Sequence, residues 1–178
     1  STPLYSSAAS DVYKRQGIVM LFYGEGWAKS TAAYGYALRA VGRGWPASVI
    51  QFVKGAGWNA AEATSAPGVG IEWYTFAPGL TWGPRDPSFL STEALKVSRS
   101  KLNSAGQTLV VLDEITSAIT NGWISESTVL EVVKGRTPGA NVILTGKDPN
   151  DALFEVADVV TRFKKEKDVG TYGILGNF

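Results

Sequence analysis

The chain contains no cysteine and no histidine anywhere in its 178 residues. Without cysteine there is no disulfide, no thiolate nucleophile and no thiolate-ligated zinc or iron–sulfur cluster. Without histidine there is no Ser–His–Asp triad, no imidazole proton shuttle and no imidazole-held metal. An enzyme built from this sequence works by positioning and electrostatics, with lysine, carboxylates, hydroxyls and backbone amides. An excess of charge is lacking too. Lysine and arginine number 17 against 16 acidic residues, so no global field draws in nucleic acid or an anionic membrane. No apolar run approaches the ~18 residues of a membrane-spanning helix. Residues 1–16 hold no secretory apolar stretch and end in Lys14-Arg15-Gln16. They read as a flexible or non-native tail and are set aside. The expectation is one cytoplasmic domain over residues 17–178, with no nucleic-acid or membrane partner.

Hydrophobic residues make up 44% of the chain, enough for a sizeable core. Their pattern alternates between strand and helix. Residues 18–23 form a continuous apolar run closed by Gly24, the pattern of a strand buried on both faces. Ala33, Tyr36, Ala37, Ala40 and Val41 then recur with helical spacing up to Gly42. Further strands are predicted at residues 48–53, 71–76, 108–112 and 140–145, with an edge-like sixth at 159–163. Residues 55–68 read as loop, and 77–87 as a Pro/Gly-rich connection. Asp86-Pro87 predicts a capped helix to Leu102, and Ser125 caps another through Lys134. Asp148-Pro149 predicts a third such start, with Leu153, Val156, Ala157 and Val160 as its stripe. The fold class is therefore α/β, a mostly parallel sheet of about six strands covered by helices on both faces. In such sheets ligands bind beyond the carboxyl ends of the strands.

Three segments at those ends can carry chemistry. The first is Gly24-Glu25-Gly26-Trp27-Ala28-Lys29-Ser30-Thr31, running from strand to helix. There, backbone amides and the helix terminus face an anion, lysine adds a point charge and the hydroxyl can ligand Mg²⁺. The glycine expected just before the lysine is Ala28, and the first glycine comes one position late. If position 28 needs a positive φ, alanine costs about 1 kcal/mol relative to glycine. A tight turn with an exposed lysine is the competing reading. The second is Leu109-Val110-Val111-Leu112-Asp113-Glu114, a buried strand ending in carboxylates that can hold Mg²⁺ directly or through water. The third is Gly79-Leu80-Thr81-Trp82, whose aromatic can cover a flat cofactor or simply pin its own loop.

Taken together the chain resembles the P-loop ATP:corrinoid adenosyltransferases, the cob(I)alamin adenosyltransferase family. The resemblance runs from Gly17 to about Phe163. It rests on the ordered set GEGWAKSTAAYGYALRAVGRG, VIQFVKG, GLTW, VVLDEI, GRTPGANVILTG and ADVVTRF. It implies a RecA-like P-loop fold and Mg-ATP-dependent transfer of a 5′-deoxyadenosyl group to Co(I) of a corrinoid, with triphosphate leaving. Residues 24–31 would cradle phosphates, Lys29 would contact them, and Ser30 would bind Mg²⁺ with Asp113 and Glu114, Glu114 favoured. Arg39 falls where the family has an arginine near the nucleotide. Leu80 and Trp82 match a loop that displaces the corrin's lower ligand. A flavoprotein reductant and a homodimer are the implied partners. Three departures stand out: Trp27 and Ala28 in place of Lys-Gly, Leu80 in place of an aromatic, and a tail after Phe163 without the family's closing pattern. They leave room for a nucleotide- or corrinoid-binding paralogue, and another P-loop ATPase or kinase is the third reading.

Overall fold

The computed structural model describes residues 17–52, 60–76, 86–170 and 174. Six strands, β1 (Val19–Tyr23), β2 (Ala47–Gln51), β3 (Ile71–Thr75), β4 (Thr108–Asp113), β5 (Ala140–Gly146) and β6 (Val159–Arg162), form one sheet in the order β3-β2-β4-β5-β1-β6. Every pairing is parallel. Six helices connect them: α1 (Lys29–Gly42), α2 (Ala61–Ser65), α3 (Pro87–Leu102), α4 (Ile115–Thr120), α5 (Glu126–Lys134) and α6 (Asp151–Val156). A 3-10 turn at Pro67–Val69 precedes β3.

The pleat sends alternate residues to opposite faces, and two cores follow. Val19 and Leu21 of β1 join Ile50, Val110, Leu112, Val142 and Leu144 under α3, α4, α5 and α6. Met20 and Phe22 join Val49, Leu109, Val111 and Ile143 under α1. The face that α1 turns to the sheet is Ala33, Ala37 and Ala40, all buried. Small side chains there let the helix axis lie close to the strands, which aims its N-terminus at the end of β1. The central strands carry almost unbroken buried runs, whereas all four residues of β6 are exposed, as expected of an edge.

The caps of the central helices follow the sequence. Asp86 accepts from the Ser88 amide with Pro87 at the first helical position, and Ser125 accepts from the Thr128 amide. Three expectations are corrected. Residues 61–65 of the expected loop are helical, and α4 was not legible at all. The last helix starts at Asp151 rather than after Asp148: the chain stays extended at Asn150, whose side-chain amide donates to the Glu126 carboxylate. Its stripe ends at Val156, because Ala157 is extended and Asp158 bonds Val19 through both its amide and its carboxylate. Pairing with β1 thus wins over another helical turn, and Val160 belongs to β6. The tail 1–16, Val53, Leu80 and Trp82 lie outside the described residues.

Candidate nucleotide site

β1 ends at Tyr23, and parallel pairing sets the ends of β5 and β6 on either side of it, with Tyr23 opposite Gly146 and Arg162. The turn that follows is squeezed between those flanking chains. Gly24 has φ +110°, and a Cβ on it would lie 2.4 Å from the Phe163 carbonyl oxygen. On Gly26 a Cβ would lie 2.6 Å from the Phe163 carbonyl carbon. The Gly24 amide donates to Lys147 O at 3.0 Å and the Gly26 amide to Phe163 O at 2.9 Å. Both glycines are therefore required by close approach of backbone.

Ala28 immediately precedes α1 with φ 74° and ψ 6°, in the left-handed region. The condition set by the sequence is met: the position that lacks its glycine does need positive φ. Lys29 then folds back, its ammonium donating to Gly24 O at 2.7 Å and Gly26 O at 2.9 Å. It closes the loop on itself and brings one positive charge to the start of α1. Trp27 lies on the outside, with Nε1 donating to Asp168 Oδ2 at 3.3 Å and the Lys165 ammonium 5.7 Å from its ring centre.

Ser30 Oγ donates to Asp113 Oδ1 at 2.6 Å. The strand order makes this contact possible, because β5 alone separates β1 from β4. Asp113 is buried, and its carboxylate is fixed by two more donors: Thr145 Oγ1 at 2.8 Å and Gln51 Nε2 at 3.1 Å. Gln51 Oε1 in turn accepts from Trp73 Nε1 and Thr75 Oγ1, each at 3.1 Å. A polar chain thus runs across the carboxyl ends of β3, β2, β4 and β5 to the first turn of α1. Gln51, Thr75 and Thr145 were not among the residues singled out from the sequence. Their signal was one of position, since Gln51 and Thr75 are the last residues of their strands and Thr145 directly precedes the last residue of its own.

Among the described residues, Glu114 is the second non-glycine residue held at positive φ, at 62°. Its amide donates to Thr145 Oγ1 at 2.9 Å, and its Oε2 accepts from Ser117 Oγ at 2.7 Å. The carboxylate of Glu114 therefore lies along α4, while that of Asp113 meets Ser30. Thr31 Oγ1 donates to Glu62 Oε1 at 2.8 Å, which ties α1 to α2. Arg39 is exposed, with its guanidinium 5.1 Å from the centre of the Tyr36 ring. Eight residues beyond Thr31, it stands about 12 Å further along the helix. The structure brings together residues 24–31 and Asp113, then, and leaves Arg39 apart from them.

Charges gather at the rim of the loop. Glu25 pairs with Lys147 at 2.9 Å, and the hydrogen-bonded ammonium holds its carboxyl below the ordinary value. Asp168 is held at about 2, first by the Gly170 amide, then by Lys165 and Trp27.

A parallel sheet whose first strand leads through a tight loop into a helix, with the acidic strand one place removed, defines a RecA-like P-loop fold. The sequence profile of the ATP:corrinoid adenosyltransferase BtuR/CobO/CobP family matches residues 15–176. The chain belongs to that family. It is 30% identical over 162 residues to the corrinoid adenosyltransferase of Escherichia coli K12, covering 89% of this chain and 82% of that one. To the corrinoid adenosyltransferase CobA of Salmonella typhimurium LT2 it is 29% identical over 164 residues, covering 90% and 83%. The corrinoid adenosyltransferase of Pseudomonas aeruginosa PAO1 is 30% identical over 164 residues, with 89% and 80% covered.

Proposed function

We propose that the chain transfers the 5′-deoxyadenosyl group of ATP to the Co(I) of a corrinoid substrate, releasing triphosphate. The observation that carries this reading is the meeting of Lys29, Ser30 and Asp113 at the start of α1. The cobalt lone pair attacks C5′, the C5′–O bond breaks, and the triphosphate oxygen leaves with the electron pair. The nucleophile arrives with the substrate, so a chain without histidine or cysteine is under no handicap. The protein's own share is to hold the triphosphate, offset its charge and keep C5′ in line with cobalt.

Lys29 meets this need with an ammonium at a helix N-terminus, where amides and the helix dipole already favour an anion. Ser30 and Asp113 fit Mg²⁺, since the ion takes one or two hard oxygen ligands from protein and keeps waters and phosphate oxygens for the rest. Asp113, pinned by Thr145 and Gln51, would hold that ion directly or through water. Bound there, Mg²⁺ would neutralise charge on the departing triphosphate. Leu80 and Trp82 are assigned to the corrin's lower face by resemblance alone. A one-electron donor, a flavoprotein by the same resemblance, supplies Co(I), and the working form is a cytoplasmic homodimer.

The test is adenosylcorrinoid formation from anaerobically reduced cobalamin, or a cobyrinic acid derivative, with Mg-ATP. Triphosphate is the expected co-product, and folded protein giving neither product would overturn the proposal. A second reading, binding without turnover, is favoured by the strained Ala28 and by Trp27 engaging Asp168. Calorimetry showing ATP or corrinoid binding with no product would establish it. ATP cleaved to ADP without corrinoid would instead indicate a kinase or ATPase.

A further inference from the structure

Two exposed lysines flank the phosphate loop, one on each side, and neither belongs to it. Lys147 directly follows β5, and its carbonyl anchors the Gly24 amide. Lys165 lies two residues beyond Phe163, whose carbonyl anchors the Gly26 amide. The pairing that squeezes the loop between β5 and β6 therefore also fixes the backbone from which both ammonium groups reach. Each is held by an acid at the rim: Lys147 by Glu25 at 2.9 Å and Lys165 by Asp168 at 3.0 Å. All four side chains are between about one-third and two-thirds exposed. The field of both lysines, together with Lys29, reaches the Glu25 carboxyl.

We infer that Lys147 and Lys165 are ligands of the departing triphosphate, kept in the ligand-free protein by Glu25 and Asp168 as stand-in anions. The assignment rests on the adenosyl-transfer reading above. Triphosphate carries several negative charges, whereas position 27 of the loop is a tryptophan without charge. Glu25 cancels the charge of Lys29, so residues 24–31 carry no net charge and cations outside them are needed to offset a polyanion. Exposed ion pairs are weak, so exchanging a carboxylate for a phosphate oxygen costs little. Lysine suits the exchange because its charge sits on a flexible four-carbon stem. Lys165, stacked near Trp27, turns the uncharged loop residue into a support for a charge supplied by another segment.

Calorimetric titration with Mg-ATP and with inorganic triphosphate tests this. Lys147→Gln and Lys165→Gln should each weaken triphosphate binding about threefold, and together about tenfold. Lys147→Arg should retain wild-type affinity, and Lys134→Gln, remote on α5, should change nothing. Glu25→Gln separates the two roles available to Lys147. If the pair only shapes the loop, removing either partner weakens binding; if Lys147 is an anion ligand, Glu25→Gln tightens it. Wild-type affinity in the double lysine variant, or weakened binding in Glu25→Gln, overturns the assignment and leaves adenosyl transfer standing. Failure of the wild-type protein to bind Mg-ATP or triphosphate overturns both.

Discussion

Ala28→Gly should stabilise the protein. Ala28 stands at φ 74° and ψ 6°, just before α1, with its carbonyl accepting the first helical bond, from the Ala32 amide at 2.8 Å. A left-handed conformation costs an L-residue with a Cβ about 1–2 kcal/mol, and glycine nothing comparable. Against that gain, glycine widens the unfolded ensemble, at a cost of about 0.4–1 kcal/mol. At mid-range values of both, the difference leaves a net stabilisation of about 0.5–1 kcal/mol. For a chain of this length that is a rise in melting temperature of about 1–4 °C. In urea, with a slope of about 2–3 kcal/mol per molar, the midpoint should move up by roughly 0.2–0.5 M. Ala28→Val supplies the opposite arm, because a β-branched residue at this φ is a worse fit than alanine and should destabilise by at least 1 kcal/mol. Both variants are compared with wild type in the absence of nucleotide, so that binding does not add to the measured stability. A glycine variant no more stable than wild type, or a valine variant equal to it, would refute the strain argument. Either result would mean that the loop takes another backbone path.

Three further expectations follow from the same geometry. Lys29→Ala should lower kcat/KM for adenosylation at least tenfold, since a charge-assisted contact contributes about 1.5–3 kcal/mol; full activity in a folded variant would remove Lys29 from the site. Gly26→Ala forces a Cβ to 2.6 Å from the Phe163 carbonyl carbon, a backbone collision that cannot relax by a rotamer change. It should cost about 2 kcal/mol or more in chemical unfolding, and a cost under about 0.5 kcal/mol would show that the flanking chain does not pack there. Asp168, held at about 2, should titrate well below the ordinary carboxylate range, near 3.9 when unfolded. Its contribution is then complete above about pH 4 and is lost as pH falls through about 2. A carboxyl resonance titrating near 4, or a Trp27 indole N–H signal that does not follow it, would contradict the Trp27–Asp168 contact.

The strain at Ala28 and the network at Asp113 differ in how far the sequence foretold them. That residues 24–31 form a loop between a buried strand and a helix follows from local pattern: a six-residue apolar run, glycines, then helical spacing. That position 28 is a defect follows as soon as the loop is compared with its expected glycines. The parallel sheet is equally local in origin, because continuous apolar strands between helical stripes must be covered on both faces. The short helices α2 and α4 were not legible, since five or six residues carry less than two turns of periodicity. Nor was the end of α6, where the strip of sheet hydrogen bonds offered by β1 outweighs the propensity of residues 157–160.

What the sequence determined by itself is the inventory: a reaction without imidazole or thiolate, a lysine and a serine at a helix start, an acid ending a strand. These are fixed by residue type and by spacing along a few turns of chain. Which of them meet was decided by strand order. With β5 alone between β1 and β4, Ser30 reaches Asp113 across 83 positions, and Thr145 and Gln51 converge on the same carboxylate. Glu114, its sequence neighbour, is turned away onto Ser117 by one left-handed residue. The same order sets β6 beside β1 and so brings Asp168 and Lys165 to Trp27, more than 130 residues away. Contacts of that kind depend on which strands pair, and pairing is a property of the whole sheet rather than of any segment.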